Sequence, residues 1–262
     1  MPIIGYHIVF QTPSKRIIAP DVAAQRRLCG VVHQLGERRG VVAFRAAGDH
    51  LHVETLGDRD SAGVLAQATG SALTQALGLP GFNPAYFEPI NDNDHLERAF
   101  FYILRNAEKH GVTNDPKHEA SSIQALLGLR RAPTTFLPRV RAAFPTLSRE
   151  SLVKVLGLAE LKPTFLLEDL ADAAAASVGL ATLDRSHLAF EARASACRVA
   201  NGKAPTGAVA HALGVSERTV RRFRSEPPDV LLERAIAHRM GMTLALGDTA
   251  RLQQVVPARR KR

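Results

Sequence analysis

Every segment with strand character lies before residue 91, and after residue 119 none appears. Strands and helices segregated in this way build an α+β unit followed by an all-α one, because a parallel α/β sheet needs the two to alternate along the whole chain. Ile3 to Phe10 is β-branched and aromatic and runs into the turn residues Thr12-Pro13-Ser14, which reads as a strand. Asp21 to Arg38 carries Leu28, Val31, Val32 and Leu35 at helical spacing. Val41 to Ala46 and His50 to Thr55 flank Ala47-Gly48-Asp49 as the arms of a hairpin. Ser61 to Leu77 reads as a helix capped by Ser61 and stopped by Gly78 and Pro80, and Tyr86 to Ile90 as a short strand. In Asp94 to His110, Asp94 is the expected cap, Glu97 follows three residues on, and Gly111 supplies the stop. The order βαββαβα is that of a ferredoxin-like sandwich with one extra helix.

Beyond residue 119 the expected helices are Ser121 to Leu129, Arg149 to Leu156, Thr164 to Ser177, Asp184 to Ala200, and the stretch from Thr206 to about Leu246. Charge divides along the same line. The 262 residues carry 34 basic and 25 acidic side chains, net +9, but residues 1–120 hold 12 and 13 of them and residues 121–262 hold 22 and 12. This places a first domain at 1–118, a helical domain at 119–257, and a basic tail at 258–262. The basic excess points to a polyanionic partner. Cys29 and Cys197 lie too far apart in sequence for a disulfide scaffold or a Cys-rich zinc module, and both read as small buried residues of a cytoplasmic protein. No apolar run approaches the roughly 20 residues of a membrane span, and MPIIGYHIVF lacks the basic-then-apolar order of a secretion signal.

Seven of the ten histidines fall in the first 120 residues. His50 and His52 alternate with Leu51 in an expected strand, so both imidazoles share one face and are close enough to share a metal ion. Taken alone, such a pair is more often two half-exposed sheet residues than a metal site. On the helix that follows, Leu96, Phe100, Ile103 and Ala107 form the apolar stripe, and at about 100° per residue His95, Tyr102, Asn106 and Lys109 fall in a separate band. A tyrosine there either snorkels beside solvated polar groups or stands as a nucleophile next to a ligand and a phosphate contact. Tyr6 and Tyr86 lie in expected strands and read as half-buried structural residues.

Tyr6-His7-Ile8-Val9, then His50-Leu51-His52 after Gly48-Asp49, then Tyr102-Ile103-Leu104-Arg105-Asn106 with Gly111-Val112 downstream, resembles the REP-associated tyrosine transposases, single-tyrosine HUH enzymes that act on single-stranded DNA. The resemblance covers about residues 1–130, including a serine pair at Ser121-Ser122. It implies that His50, His52 and Asn106 bind Mg²⁺ or Mn²⁺ and that Tyr102 attacks a phosphodiester to leave a 5′-phosphotyrosine and a free 3′-OH. A free phenol titrates near pH 10, about three units above neutrality, so a metal is needed to polarise the phosphate and help the leaving oxygen depart. Lys109 is a candidate phosphate contact on its position alone. The chain departs from the family at Asp49, where Asn is usual, at Ala107, where Pro is usual, and at Phe82 to Glu88, which lacks the usual arginines.

Thr206 to Arg224 carries the spacing of a helix-turn-helix, placed at about 206–225: Ala210 at the close packing point, Gly214 at the turn, Ser216 as cap and Val220 buried. Its second helix is expected to expose Arg218, Thr219, Arg221, Arg222 and Arg224 to duplex DNA. The combined expectation is a cytoplasmic, nucleoid-associated enzyme that cuts and rejoins single-stranded or hairpin DNA and anchors itself on duplex, in an assembly that the resemblance allows to be a homodimer. The alternative is a catalytically inactive, transposase-derived DNA-binding regulator.

Overall fold

The computed structural model describes residues 2–13, 15–106, 118–155, 157 and 160–255. The chain forms two compact units, Met1–Gly157 with Gly179–Ala181, and Leu158–Val178 with Thr182–Arg262. The division falls later than the expected boundary at 118/119. The reason is local: Ala120 O accepts from Ala46 N at 2.9 Å, Ser122 N donates to Phe44 O at 3.0 Å, and Ser121 bridges Arg45, so residues 120–122 continue the sheet edge of the first unit. Ser121 and Ser122 are fully buried there.

The first unit contains β1 (Gly5–Gln11), α1 (Val22–Gly36), β2 (Val41–Ala47), β3 (His50–Leu56), α2 (Arg59–Leu77), β4 (Tyr86–Ile90) and α3 (Asn93–Leu104). After them come α4 (Ile123–Leu126), α5 (Phe136–Ala143) and α6 (Arg149–Val155). The four strands form an antiparallel sheet in the order β2-β3-β1-β4. Alternation along β1 sends Tyr6, Ile8 and Phe10 to one face, where they pack with Leu28 and Val32 of α1 and Leu65 and Leu73 of α2. α3 lies over β2 and β3.

Helix ends follow capping chemistry more closely than hydrophobic pattern. Asp58, not Ser61, caps α2, accepting from Ser61 N at 2.8 Å, and Asp92, not Asp94, caps α3, accepting from His95 N at 2.6 Å. α5 is not among the helices expected from the sequence. Pro138 sits in the first turn, where its missing N–H has no helical partner to lose.

The second unit is built from α7 (Leu170–Ser177), α8 (His187–Val199), α9 (Thr206–Leu213), α10 (Glu217–Ser225) and α11 (Val230–Val255) around a core of small and aliphatic residues. α9 ends at Gly214 in the left-handed conformation, φ 63°, and Ser216 caps α10 by accepting from Thr219 N at 3.1 Å. The expected helix at Thr164 begins only at Leu170. Residues 162–166 instead lie along α11, with Thr164 N donating to Ala237 O at 3.0 Å. Among the described residues no helix is long and apolar enough to cross a membrane. The expected basic tail at 258–262 lies outside the described residues.

Candidate functional site

The sheet face beneath α3 is polar. Register places His50, His52 and Glu54 of β3 beside Gln11, Val9 and His7 of β1, Arg45 of β2 opposite His52, and Glu88 of β4 opposite His7. α3 buries Leu96, Ala99, Phe100, Ile103 and Leu104, which leaves Tyr102 half-buried at the flank of the stripe. Its ring centre lies 5.8 Å from that of His52 and 5.9 Å from that of His7, near-perpendicular to both. α3 ends at Leu104, whose carbonyl accepts from the buried Arg45 guanidinium at 2.8 Å, and of the helix expected from Asp94 to His110 the positions 107–110 and the stop at Gly111 lie outside the described residues. Asn106 is buried two residues beyond, with Nδ2 3.0 Å from His52 Nε2. The structure therefore gathers His50, His52, Tyr102 and Asn106 on one face. Lys109 lies outside the described residues.

Each histidine of the pair is held from behind. His50 Nδ1 is 2.7 Å from Asp49 Oδ1, and Asp49 Oδ2 accepts from Gln11 Nε2 at 3.3 Å. Burial opposes ionisation of Asp49, but the Gln11 hydrogen bond and His50 together hold its carboxyl below the ordinary value. His52 Nδ1 lies 3.0 Å from His7 Nε2, and His7 Nδ1 lies 3.2 Å from Glu88 Oε2. Burial lowers the pKa of His7 and prevails over Glu88, which raises it. The His50 and His52 rings are stacked with centres 6.1 Å apart.

Two buried oxygens stand out beside this pair. Asn106 Oδ1 has no hydrogen-bond partner among the described residues, and neither has either carboxyl oxygen of Glu54, whose pKa burial pushes well above its ordinary value. Among the described residues no group of three His, Cys, Asp or Glu is placed to hold a metal ion. Two imidazoles plus an amide oxygen form a different donor set, one that suits a divalent ion of intermediate hardness, and the unpartnered Asn106 Oδ1 fits it. Beside Tyr102 runs an open groove of about 780 Å³ walled by Glu97, Arg98, Phe101 and Arg105.

In the second unit α10 presents an exposed Arg218. Arg221 is exposed but ion-paired with Glu217 at 2.8 Å, and Arg222 lies 3.8 Å from Glu226 and over the Phe223 ring. Thr219 shares its hydroxyl with Ser216 at 2.9 Å. Arg224 corrects the expectation of a fully outward face. It is half-buried and donates to Cys197 O at 3.3 Å and Thr206 Oγ1 at 3.0 Å, bracing α10 against α8 and α9.

No family model and no curated protein matches the chain. Among solved structures, a REP-associated tyrosine transposase bound to a REP hairpin is similar over 47% of this chain and 78% of that one, at 18% identity and a TM-score of 0.39. A likeness of this size assigns no residue a role.

Sequence reasoning missed His7, Arg45, Glu54 and Glu88 as members of the site. One signal was present: alternation in Tyr6-His7-Ile8-Val9-Phe10-Gln11 puts His7 and Gln11 on the face opposite the aromatics. What could not be read was the residue register of β1 against β3 and β4, which brings His7 to His52 and Glu88.

Proposed function

We propose that the chain is a metal-dependent DNA strand transferase of the tyrosine-transposase type. In this reading the first unit is a ferredoxin-like sandwich that cuts and rejoins single-stranded or hairpin DNA, and α9 and α10 are a helix-turn-helix that binds duplex. The observation that carries the reading is the convergence on His52 of Tyr102, through its ring, and Asn106, through its amide. The strand order, the polar sheet face under α3, and the Gly214 turn followed by the Ser216 cap support it.

His50, His52 and Asn106 would hold the metal, and a divalent ion bound there supplies charge stabilisation on the scissile phosphate and on the departing oxygen. Tyr102 Oη forms the bond to phosphorus as the P–O3′ bond breaks. The phenol loses one proton and the 3′ oxygen gains one. One phosphoester replaces another, so reversal rejoins the strand without a nucleotide cofactor.

The test is to incubate the full chain with a 3′-end-labelled hairpin DNA carrying a single-stranded flank, with Mn²⁺, and to look for label on the denatured protein. A covalent adduct should form with the wild type and fall at least about 100-fold in Tyr102→Phe, which loses the attacking oxygen. An adduct of equal yield in Tyr102→Phe overturns the assignment. Duplex binding with no adduct from the wild type identifies the chain as a DNA-binding protein without strand-transfer activity.

A further inference from the structure

We propose that two carboxylates, Asp49 directly and Glu88 through His7, fix both imidazoles of the His50 and His52 pair as Nδ1–H tautomers, so that their Nε2 lone pairs are the ligand atoms. The inference deepens the metal-dependent reading and rests on it for the purpose of those lone pairs, though the tautomers themselves follow from hydrogen-bond geometry.

A carboxylate only accepts, so at 2.7 Å from Asp49 Oδ1 the proton of His50 is on Nδ1. His52 is reached in two steps. Glu88 Oε2, at 3.2 Å, accepts from His7 Nδ1. With one proton on each ring, His7 Nε2 is then a lone pair, and across 3.0 Å it accepts from His52 Nδ1. His52 Nε2 is left as the acceptor, which agrees with Asn106 Nδ2 donating to it at 3.0 Å. Reading the chain from the Glu88 end makes the result independent of which way the Asn106 amide is turned.

The two anchors are of different construction. His50 meets its carboxylate one residue away, from the turn that joins β2 to β3. His52 is deeper, at 6% exposure, and reaches a carboxylate on the edge strand β4 only because His7 of the central strand lies between them. Asp49 thus has a positioning role. His7, Glu88 and Asp49 act through the ligating histidines and not on the reacting atoms.

The test uses the full-length, metal-free protein labelled with ¹⁵N-histidine, at a pH of about 8 where an unperturbed imidazole carries one proton. Long-range ¹H–¹⁵N correlations report which nitrogen of each ring is protonated, with His50 and His52 assigned from the signals lost in His50→Gln and His52→Gln. Both should be Nδ1–H in the wild type. Asp49→Ala should convert His50 alone to a tautomer mixture, and Glu88→Ala and His7→Leu should do so for His52 alone. Asp49→Asn and Glu88→Gln, which keep an acceptor, should restore the wild-type spectrum. Mn²⁺ affinity, followed by electron paramagnetic resonance, should fall about 10–100-fold in the disrupting variants. Glu88 has a 46% exposed side chain on an edge strand, so Glu88→Ala keeps the test open where His7→Leu fails to fold. An Nε2–H signal for either histidine in the wild type, or spectra unmoved by Asp49→Ala and Glu88→Ala, overturns the proposal. Tautomers as stated in a protein with no Mn²⁺ affinity sustain it and overturn the metal-dependent reading instead.

Discussion

His33 has its ring between Phe44 and Phe136, at 4.9 and 4.8 Å between centres, and burial, reinforced by Arg130, pushes its pKa down to about 3. From its ordinary 6.5 down to about 3, the unfolded chain takes up a proton that the folded chain refuses. The stabilising preference for the neutral ring is therefore complete above pH 6.5 and is lost as pH falls, at about 1.4 kcal/mol per pH unit. Urea unfolding of the wild type should lose about 3 kcal/mol between pH 7 and pH 4 relative to His33→Leu, which has no proton to take up. Parallel declines in the two proteins would contradict the assignment. Residue-scale features of this kind were partly legible. Cys29 and Cys197 are buried as the sequence implies, and burial raises the Cys197 thiol to about 11. The tyrosines divide: Tyr6 is 5% exposed, whereas Tyr86, at 63%, stands out from the edge strand. Composition makes two such strand residues look alike, and only the sheet's edge separates them.

Gly241 shows how one element depends on another. A Cβ at this position of α11 would lie 1.8 Å from the Lys162 carbonyl oxygen, so the missing side chain is what lets residues 162–164 lie against the helix. Gly241→Ala should improve intrinsic helix propensity yet destabilise the second unit by about 3 kcal/mol, because the backbone contact must open. Gly214→Ala, at φ 63°, should cost about 1–2 kcal/mol through the left-handed backbone alone. Thermal unfolding of both variants distinguishes the two causes, since only the first should also expose Met240, which the 162–166 segment covers through the Leu166 N–H. The same contacts explain why helix existence was legible and helix ends were not. Asp92 and Asp94 are equally good caps by type, and the choice falls to the one with extended backbone. The segment before Leu170 has helical composition but directs its Thr164 N–H to α11.

At the scale of the molecule, the charge that sequence assigned to the second half is shared. The compact units carry 18 basic against 14 acidic side chains and 16 against 11, net +4 and +5. Arg130, Arg131, Arg139, Arg141, Arg149 and Lys154 belong to the unit that carries the histidines. For the proposed duplex-binding role of α10, affinity should fall linearly on a log–log plot against salt, and Arg218→Ala and Arg221→Ala should each flatten the slope by about 1. Slopes unchanged in both variants would remove α10 from the interface. The candidate site was legible as far as its motifs reach: the hairpin puts His50 and His52 on one face, and helical spacing puts Tyr102 and Asn106 in one band. His7 and Glu88 were not, because they join it through pairings 45 and 81 residues apart.

Those separations have a kinetic meaning. β1 precedes the other three strands along the chain and lies inside the sheet, between β3 and β4. It has no neighbour to pair with until β3 and β4 have followed it, and each loop closed to reach them costs entropy before any contact repays it. The hairpin of β2 and β3 can form early on its own, whereas the row from Glu88 through His7 to His52 and Asn106 closes only with the last long-range pairings. A chain caught midway through folding would already display its two histidines and still lack the neighbours that hold them in the folded sheet.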